Sequence, residues 1–138
     1  MVSCIVKIII EVDAISMIKI TLTGELCDLN TYINAERRNR FIGAKIKKDN
    51  TESVMWQTKN IKPITDYPVY VYITWYMKDQ RKDPDNIAFA KKFILDALVE
   101  NGILVNDGQK QITGFQDLIL NDKKNPRTEI QIVPVSEL

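Results

Sequence analysis

The sequence predicts an α+β fold, a single domain in which a mostly antiparallel sheet packs against two principal helices. Three observations carry that expectation. The chain has 138 residues, 45% hydrophobic and 27% charged, which is room for one apolar core and little else. Val69, Val71, Ile73, Trp75 and Met77 alternate with Tyr70, Tyr72, Thr74 and Tyr76, the period-two pattern of a strand with two distinct faces. Long stretches without proline read as helices, and they mix with strands without the regular alternation of a doubly wound fold.

In chain order, the β-branched runs 4–12 and 18–23 read as strands, separated by Asp13-Ala14. Met17 is an alternative start, which would leave residues 1–16 as an N-terminal strand or extension outside a domain at 17–138. Residues 29–48 contain no proline and follow Asp28, a residue suited to cap a helix N-terminus, so one long helix is expected there. Asn50-Thr51-Glu52 reads as the cap of a shorter helix carrying Val54, Met55 and Trp56, and Pro63 and Pro68 bracket a loop. After the strand 69–77 and a polar loop, a second principal helix is expected at 86–101, ended by Gly102 in the left-handed position common after a helix. Ile103 to Val105 leads into an Asn106-Asp107-Gly108 turn. Residues 112–120 and 129–135 then read as two strands of a hairpin.

Composition narrows the chemistry. There is no histidine, which removes imidazole bases, Ser-His and Cys-His triads and every His-ligated metal site. Cys4 and Cys27 are too few for a zinc cluster and lack redox spacing, in keeping with a reducing compartment. The apolar run at 2–12 is broken by Lys7 and Glu11 and is too short to span a bilayer, and it lacks the marks of a secretory signal, so a cytosolic protein without a membrane segment is expected. Nineteen Lys+Arg against eighteen Asp+Glu give a net charge of +1, so an anionic partner must be met by a local patch.

Asp83-Pro84-Asp85-Asn86 stands at the entrance to the second helix, directly after the best strand. Caps and turns account for such a run by themselves. On a continuous helix, however, Asp85, Lys92 and Asp96 fall within about 40° of one another, opposite an apolar face of Ile87, Ala90, Ile94, Ala97 and Leu98. An ordinary i,i+4 ion pair also explains Lys92 and Asp96. Asp107, in a turn beyond the helix, is a third acid that chain reversal would bring back toward Asp83 and Asp85. Three carboxylates without histidine form a hard-oxygen set suited to Mg²⁺, with Mn²⁺ the alternative, and such an ion supports phosphodiester hydrolysis. An EF-hand reading fails, since it would need an oxygen ligand at Ile87 and glycine at Ala88, and a nucleotide-sugar enzyme is disfavoured by the lack of a Gly-rich strand-to-helix turn.

Between Glu36 and Lys48 the chain places Arg37, Arg38, Arg40, Lys45, Lys47 and Lys48 against one acid. A solvated charged face is one reading, and a phosphate-binding surface for nucleic acid is the other. Arg81 and Lys82, immediately before Asp83, add to the second.

The segment RKDPDNIAFAKKFILDALVENGILVNDG, Arg81 to Gly108, resembles the RusA-type endodeoxyribonucleases, Holliday junction resolvases often encoded in prophages. NTYINAERRNRF, Asn30 to Phe41, is similar to the N-terminal segment of Gram-positive and phage members, and the resemblance runs from about Ile18 to the C-terminus. It implies a homodimer that nicks opposed strands of a four-way DNA junction, with the divalent metal on Asp83, Asp85 and Asp107 and with Lys92 as the assisting cation. DNA binding would fall to Arg37, Arg38, Arg40, Arg81 and Lys82. The helix is longer between Asp85 and Asp96-Ala97-Leu98 than in the enterobacterial form, so Lys92 is assigned from the Asp96 side and Lys91 stays open. Where the family often has two adjacent acids, this chain has Asn106-Asp107. A non-cleaving DNA-binding module and a general nuclease are the rival expectations.

Overall fold

The computed structural model describes residues 17–138, so the strand expected at 4–12 and the proposed extension 1–16 lie outside the described residues. In chain order the elements are β1 (Ile18–Thr23), α1 (Leu29–Arg38), α2 (Arg40–Thr58), β2 (Val69–Met77), α3 (Pro84–Ala88), α4 (Lys91–Glu100), β3 (Ile112–Asn121) and β4 (Arg127–Pro134), followed by a short 3₁₀ turn at Val135–Glu137. The fold is α+β. Its four strands stand in the order β1-β4-β2-β3, with β1/β4 and β4/β2 antiparallel and β2/β3 parallel.

β2 lies inside the sheet, as its composition requires. Val69, Val71, Ile73, Trp75 and Met77 are all buried, and they merge with Ile87, Ala90, Phe93, Ile94, Ala97 and Leu98 into one core. The apolar face expected on the second helix is therefore the face that packs. On the other side of the sheet, Tyr72, Leu118 and Val133 form a smaller buried cluster.

The hairpin expected from 112–120 and 129–135 does not form. β4 pairs with β2 and β1, while β3 lies on the far side of β2, and the connecting loop passes over the end of β2, where the Asp122 N–H donates to the Met77 carbonyl at 2.8 Å. Two strands joined by a short polar loop look like a hairpin in sequence. Here β2, apolar on one face and aromatic on the other, gains more burial by taking a neighbour on each edge.

Both principal helices are broken where one was expected. The stretch 29–48 divides at Asn39, whose backbone turns extended (φ −166°, ψ 124°). Asn39 ends α1 by donating its N–H to the Ala35 carbonyl at 3.0 Å, and it starts α2 by accepting the Phe41 N–H on its side chain at 2.8 Å. An asparagine that offers its own hydrogen bonds replaces the helical ladder without proline or glycine. Nor do Asn50-Thr51-Glu52 start a new helix, since α2 runs through them to Thr58. Asn50 instead donates to the Ile46 carbonyl and accepts the Cys27 N–H at 2.9 Å, fastening the segment before α1 onto α2.

The stretch 86–101 divides at Phe89-Ala90, where the bonds tighten to a three-residue spacing: Ala90 N–H to Ile87 O at 3.2 Å and Lys92 N–H to Phe89 O at 3.0 Å. Its end matches expectation. Gly102 has φ +72°, and the Ile103 N–H reaches the Leu98 carbonyl at 2.9 Å while the Gly102 N–H reaches Val99 O at 3.0 Å, the paired bonds of a Schellman cap.

Candidate functional site

The acidic turn is stitched to the start of α1. Asn86 is buried, and its Oδ1 accepts the Asn30 N–H from the first turn of α1 at 2.9 Å. Asp28, also buried, caps α1 by accepting the Thr31 N–H at 2.8 Å and holds the Lys82 ammonium at 3.0 Å. Glu25 accepts the Lys78 N–H at 2.8 Å and lies 3.8 Å from Lys82. Tyr32 of α1 stacks on Phe89 and meets Phe93 edge-on, with centroids 5.5 and 6.2 Å away. These contacts set the first turn of α1 and the acidic turn in one fixed relation.

Asp83 occupies the cap position of α3 but its side chain makes no capping bond, and Asp85 lies in the first turn. Side-chain capping of α3 therefore does not account for the acidic run. Both Asp83 and Asp85 are exposed. Asp107 follows Asn106, whose side chain accepts the Asp107 N–H at 2.9 Å. The carboxylates of Asp83, Asp85 and Asp107 have no hydrogen-bond or ion-pair partner among the described residues, whereas Asp28, Asp79, Asp96, Asp117 and Asp122 are each engaged.

Asp107 borders a cavity of about 640 Å³ between α2 and α4, walled also by Lys47, Lys48, Thr51, Asp96 and Glu100. Here the basic helix and an expected metal ligand share one cleft. Asp96 links its walls, lying 3.3 Å from Lys92 and 4.0 Å from Lys47. Lys47 and Thr51 had no signal in the sequence beyond charge and capping type, because only the packing of α2 on α4 turns them toward Asp107. Among the described residues no three carboxylates or thiols are close enough to hold a metal ion as a ready-made group. The break at Phe89-Ala90 also removes the continuous helix on which Asp85 would align with Lys92 and Asp96. Lys92 and Asp96 keep a common face of α4.

The two candidate lysines are separated by their surroundings. Lys91 Nζ lies 2.7 Å from Asp117 Oδ2 and 4.4 Å from the Phe115 ring centroid, while Asp117 also accepts the Trp75 Nε1–H at 2.9 Å. That lysine is built into the sheet edge. Lys92 has a side chain 57% exposed and, among the described residues, is held only by the i,i+4 pair.

Of the basic residues, Arg37, Arg38 and Arg40 are exposed around the α1–α2 elbow. Lys45 pairs with Asp49 at 2.7 Å and Lys48 with Glu52 at 4.0 Å, along the helix surface. Arg81 is exposed beside Asp79, at 3.6 Å. Lys82 is turned inward: burial works against its charge, but its bond to Asp28 and the nearby Glu25 outweigh that and hold it above its ordinary value. The same burial would raise Asp28, yet the Thr31 N–H and Lys82 bring it below the usual carboxylate value. Burial, reinforced by Asp28 and opposed by Lys82, pushes the Cys27 thiol up, which favours the protonated form.

No helix among the described residues is long and apolar enough to cross a membrane. No family model and no curated protein matches the chain.

Proposed function

We propose that the chain is a divalent-metal-dependent endodeoxyribonuclease that cuts branched DNA, four-way junctions in particular. One observation supports this most: among the described residues Asp83, Asp85 and Asp107 are left unpaired where most other acids are engaged, and the turn bearing the first two is fastened through Asn86 to Asn30 at the start of α1, the helix whose last turn carries Arg37 and Arg38. The resemblance of residues 81–108 to RusA-type nucleases points the same way.

The donor chemistry suits Mg²⁺, or Mn²⁺, because carboxylates are hard oxygen ligands and Mg²⁺ is commonly held by one or two of them together with substrate phosphate. A set not drawn together in the free chain is thus compatible with an ion that DNA helps to bind. When bound, the ion polarises a phosphoryl oxygen and lowers the cost of placing anionic phosphate against acids. Asp83 and Asp85 would be the principal ligands, and Asp107 would complete the set from the α2–α4 cleft. Lys92, exposed and paired with Asp96, would place positive charge against the phosphate as negative charge develops. Arg37, Arg38, Arg40 and Arg81 would hold flanking phosphates, and Lys82 would act as the structural anchor of the turn. Two copies about a twofold axis would present two sites to a nearly symmetric junction.

The test is an immobile four-way junction incubated with Mg²⁺ and either the wild type or Asp85→Asn. Paired nicks that vanish in the variant support the enzyme. Tight junction binding without cleavage under Mg²⁺ or Mn²⁺ would establish the rival, a DNA-binding module on the same fold, and equal cutting of linear duplex would remove the junction preference.

A further inference from the structure

We propose that the elbow between α1 and α2 is a base-stacking contact, with Phe41 as the platform for an unpaired or branch-point base. The inference rests on the DNA reading above and adds to it a specific contact. Phe41 is 68% exposed and its neighbour Ile42 is 43% exposed, an unusual investment of large apolar surface at a helix start. Arg37, Arg38 and Arg40 precede them in the chain, all exposed, and the Arg40 guanidinium lies 5.0 Å from the Phe41 ring centroid. A planar apolar ring set among cations matches a partner that is both flat and anionic. Nucleic acid has that combination, whereas an apolar protein groove would leave the arginines unpaired.

The elbow is also rigid. The Asn39 side chain and carbonyl fix the first turn of α2 through Phe41, Ile42 and Gly43 N–H groups at 2.8, 3.0 and 3.3 Å. Gly43 is buried so close to Glu36 that a side chain there would run into it, and Glu36 is in turn held by the Tyr32 hydroxyl at 2.7 Å. Before Val54, only Gly43 of α2 is buried, so the ring is presented clear of the core. Because the backbone that carries the ring is already held, stacking a base on it orders only the Phe41 side chain.

The test titrates the full chain, in EDTA so that nothing is cut, against a dye-labelled four-way junction, a single strand and a linear duplex over a range of salt. Phe41→Ala, Phe41→Leu and Phe41→Tyr are compared with the wild type, and thermal unfolding confirms that each is folded. Phe41→Ala and Phe41→Leu are expected to weaken binding to the junction and the single strand about 5- to 100-fold with an unchanged salt slope, since no phosphate contact is lost. Phe41→Tyr is expected to bind like the wild type. Full binding by Phe41→Ala overturns the stacking contact while leaving the DNA reading intact, and rescue by leucine overturns it in favour of a simple apolar contact. A wild type that binds none of the DNAs removes the DNA reading itself, and the contact with it. Preferential binding of phosphatidylserine vesicles through Phe41 would overturn the proposal in favour of a membrane surface. Phe41-dependent single-strand binding by a protein that never cuts in Mg²⁺ supports the contact and removes only the nuclease.

Discussion

Lys91 and Lys92 are adjacent in sequence, and their environments predict opposite phenotypes for the same substitution. Lys91→Met keeps an aliphatic stem but removes a 2.7 Å charge-assisted hydrogen bond to Asp117 and the contact with the Phe115 ring, at a site where the two charged side chains are 20% and 28% exposed. Such a bond contributes about 1.5–3 kcal/mol and the ring contact about 0.5 kcal/mol more, partly offset because Asp117 retains the Trp75 Nε1–H. A net loss of about 2 kcal/mol corresponds, for a domain of this size, to a fall of about 6–8 °C in Tm. Lys92→Met removes an exposed i,i+4 pair at 3.3 Å, worth about 0.3–0.5 kcal/mol, so its melting curve should nearly overlay the wild type. Cleavage should invert the order. At a temperature where all three proteins are folded, Lys91→Met should cut a four-way junction at the wild-type rate, while Lys92→Met should lose about 10²-fold. Thermal unfolding by circular dichroism and a single-turnover nicking assay read the two axes separately. A stable, inactive Lys91→Met beside an active Lys92→Met would refute the assignment of roles.

Other outcomes follow from the same contacts. Asn86→Ala leaves the Asn30 N–H without its acceptor and should cost about 1–2 kcal/mol in urea unfolding, whereas Asn86→Asp, which still accepts, should stay near the wild type. Asp28 has a folded pKa below its unfolded value of 3.8, so its contribution is complete above that value and is lost as pH falls through the lowered one. Acid unfolding curves should therefore show a shallower acid limb in Asp28→Asn, and an unchanged limb would remove Asp28 from the linkage. Gly43→Ala should lower stability by about 1–3 kcal/mol through the clash with Glu36, and Glu36→Ala in the same chain should recover part of it. Arg37→Ala with Arg38→Ala should reduce the slope of log affinity against log salt by about two, read by anisotropy; an unaltered slope would take both residues out of the DNA interface.

Much of this chain is legible one element at a time. Period-two alternation located β2, the spacing of Ile87, Ala90, Ile94, Ala97 and Leu98 identified the face that packs, and Gly102 marked the end of α4, because each of these depends on neighbours within a turn or a pleat. The breaks at Asn39 and at Phe89-Ala90 were hidden, since no proline or glycine announces them and a side-chain hydrogen bond or a tightened turn does the work instead. Strand order was hidden as well. Which edge of β2 receives β4 depends on burial summed over the whole sheet, and the short loop from β3 permits either side.

At the candidate site, local sequence determined which residues have the chemistry: the acids around Pro84, the basic run from Arg37 to Lys48, and the paired lysines. Only the tertiary structure decided how they are used. It committed Lys91 to Asp117 and Lys82 to Asp28, left Asp83, Asp85 and Asp107 unpaired among the described residues, set Asp107 across a cleft from Lys47, and raised Phe41 on a rigid elbow. The physical reason is that a residue's charge and shape belong to its side chain, whereas its partners come from segments far away in the chain, and those are chosen by packing of the whole domain.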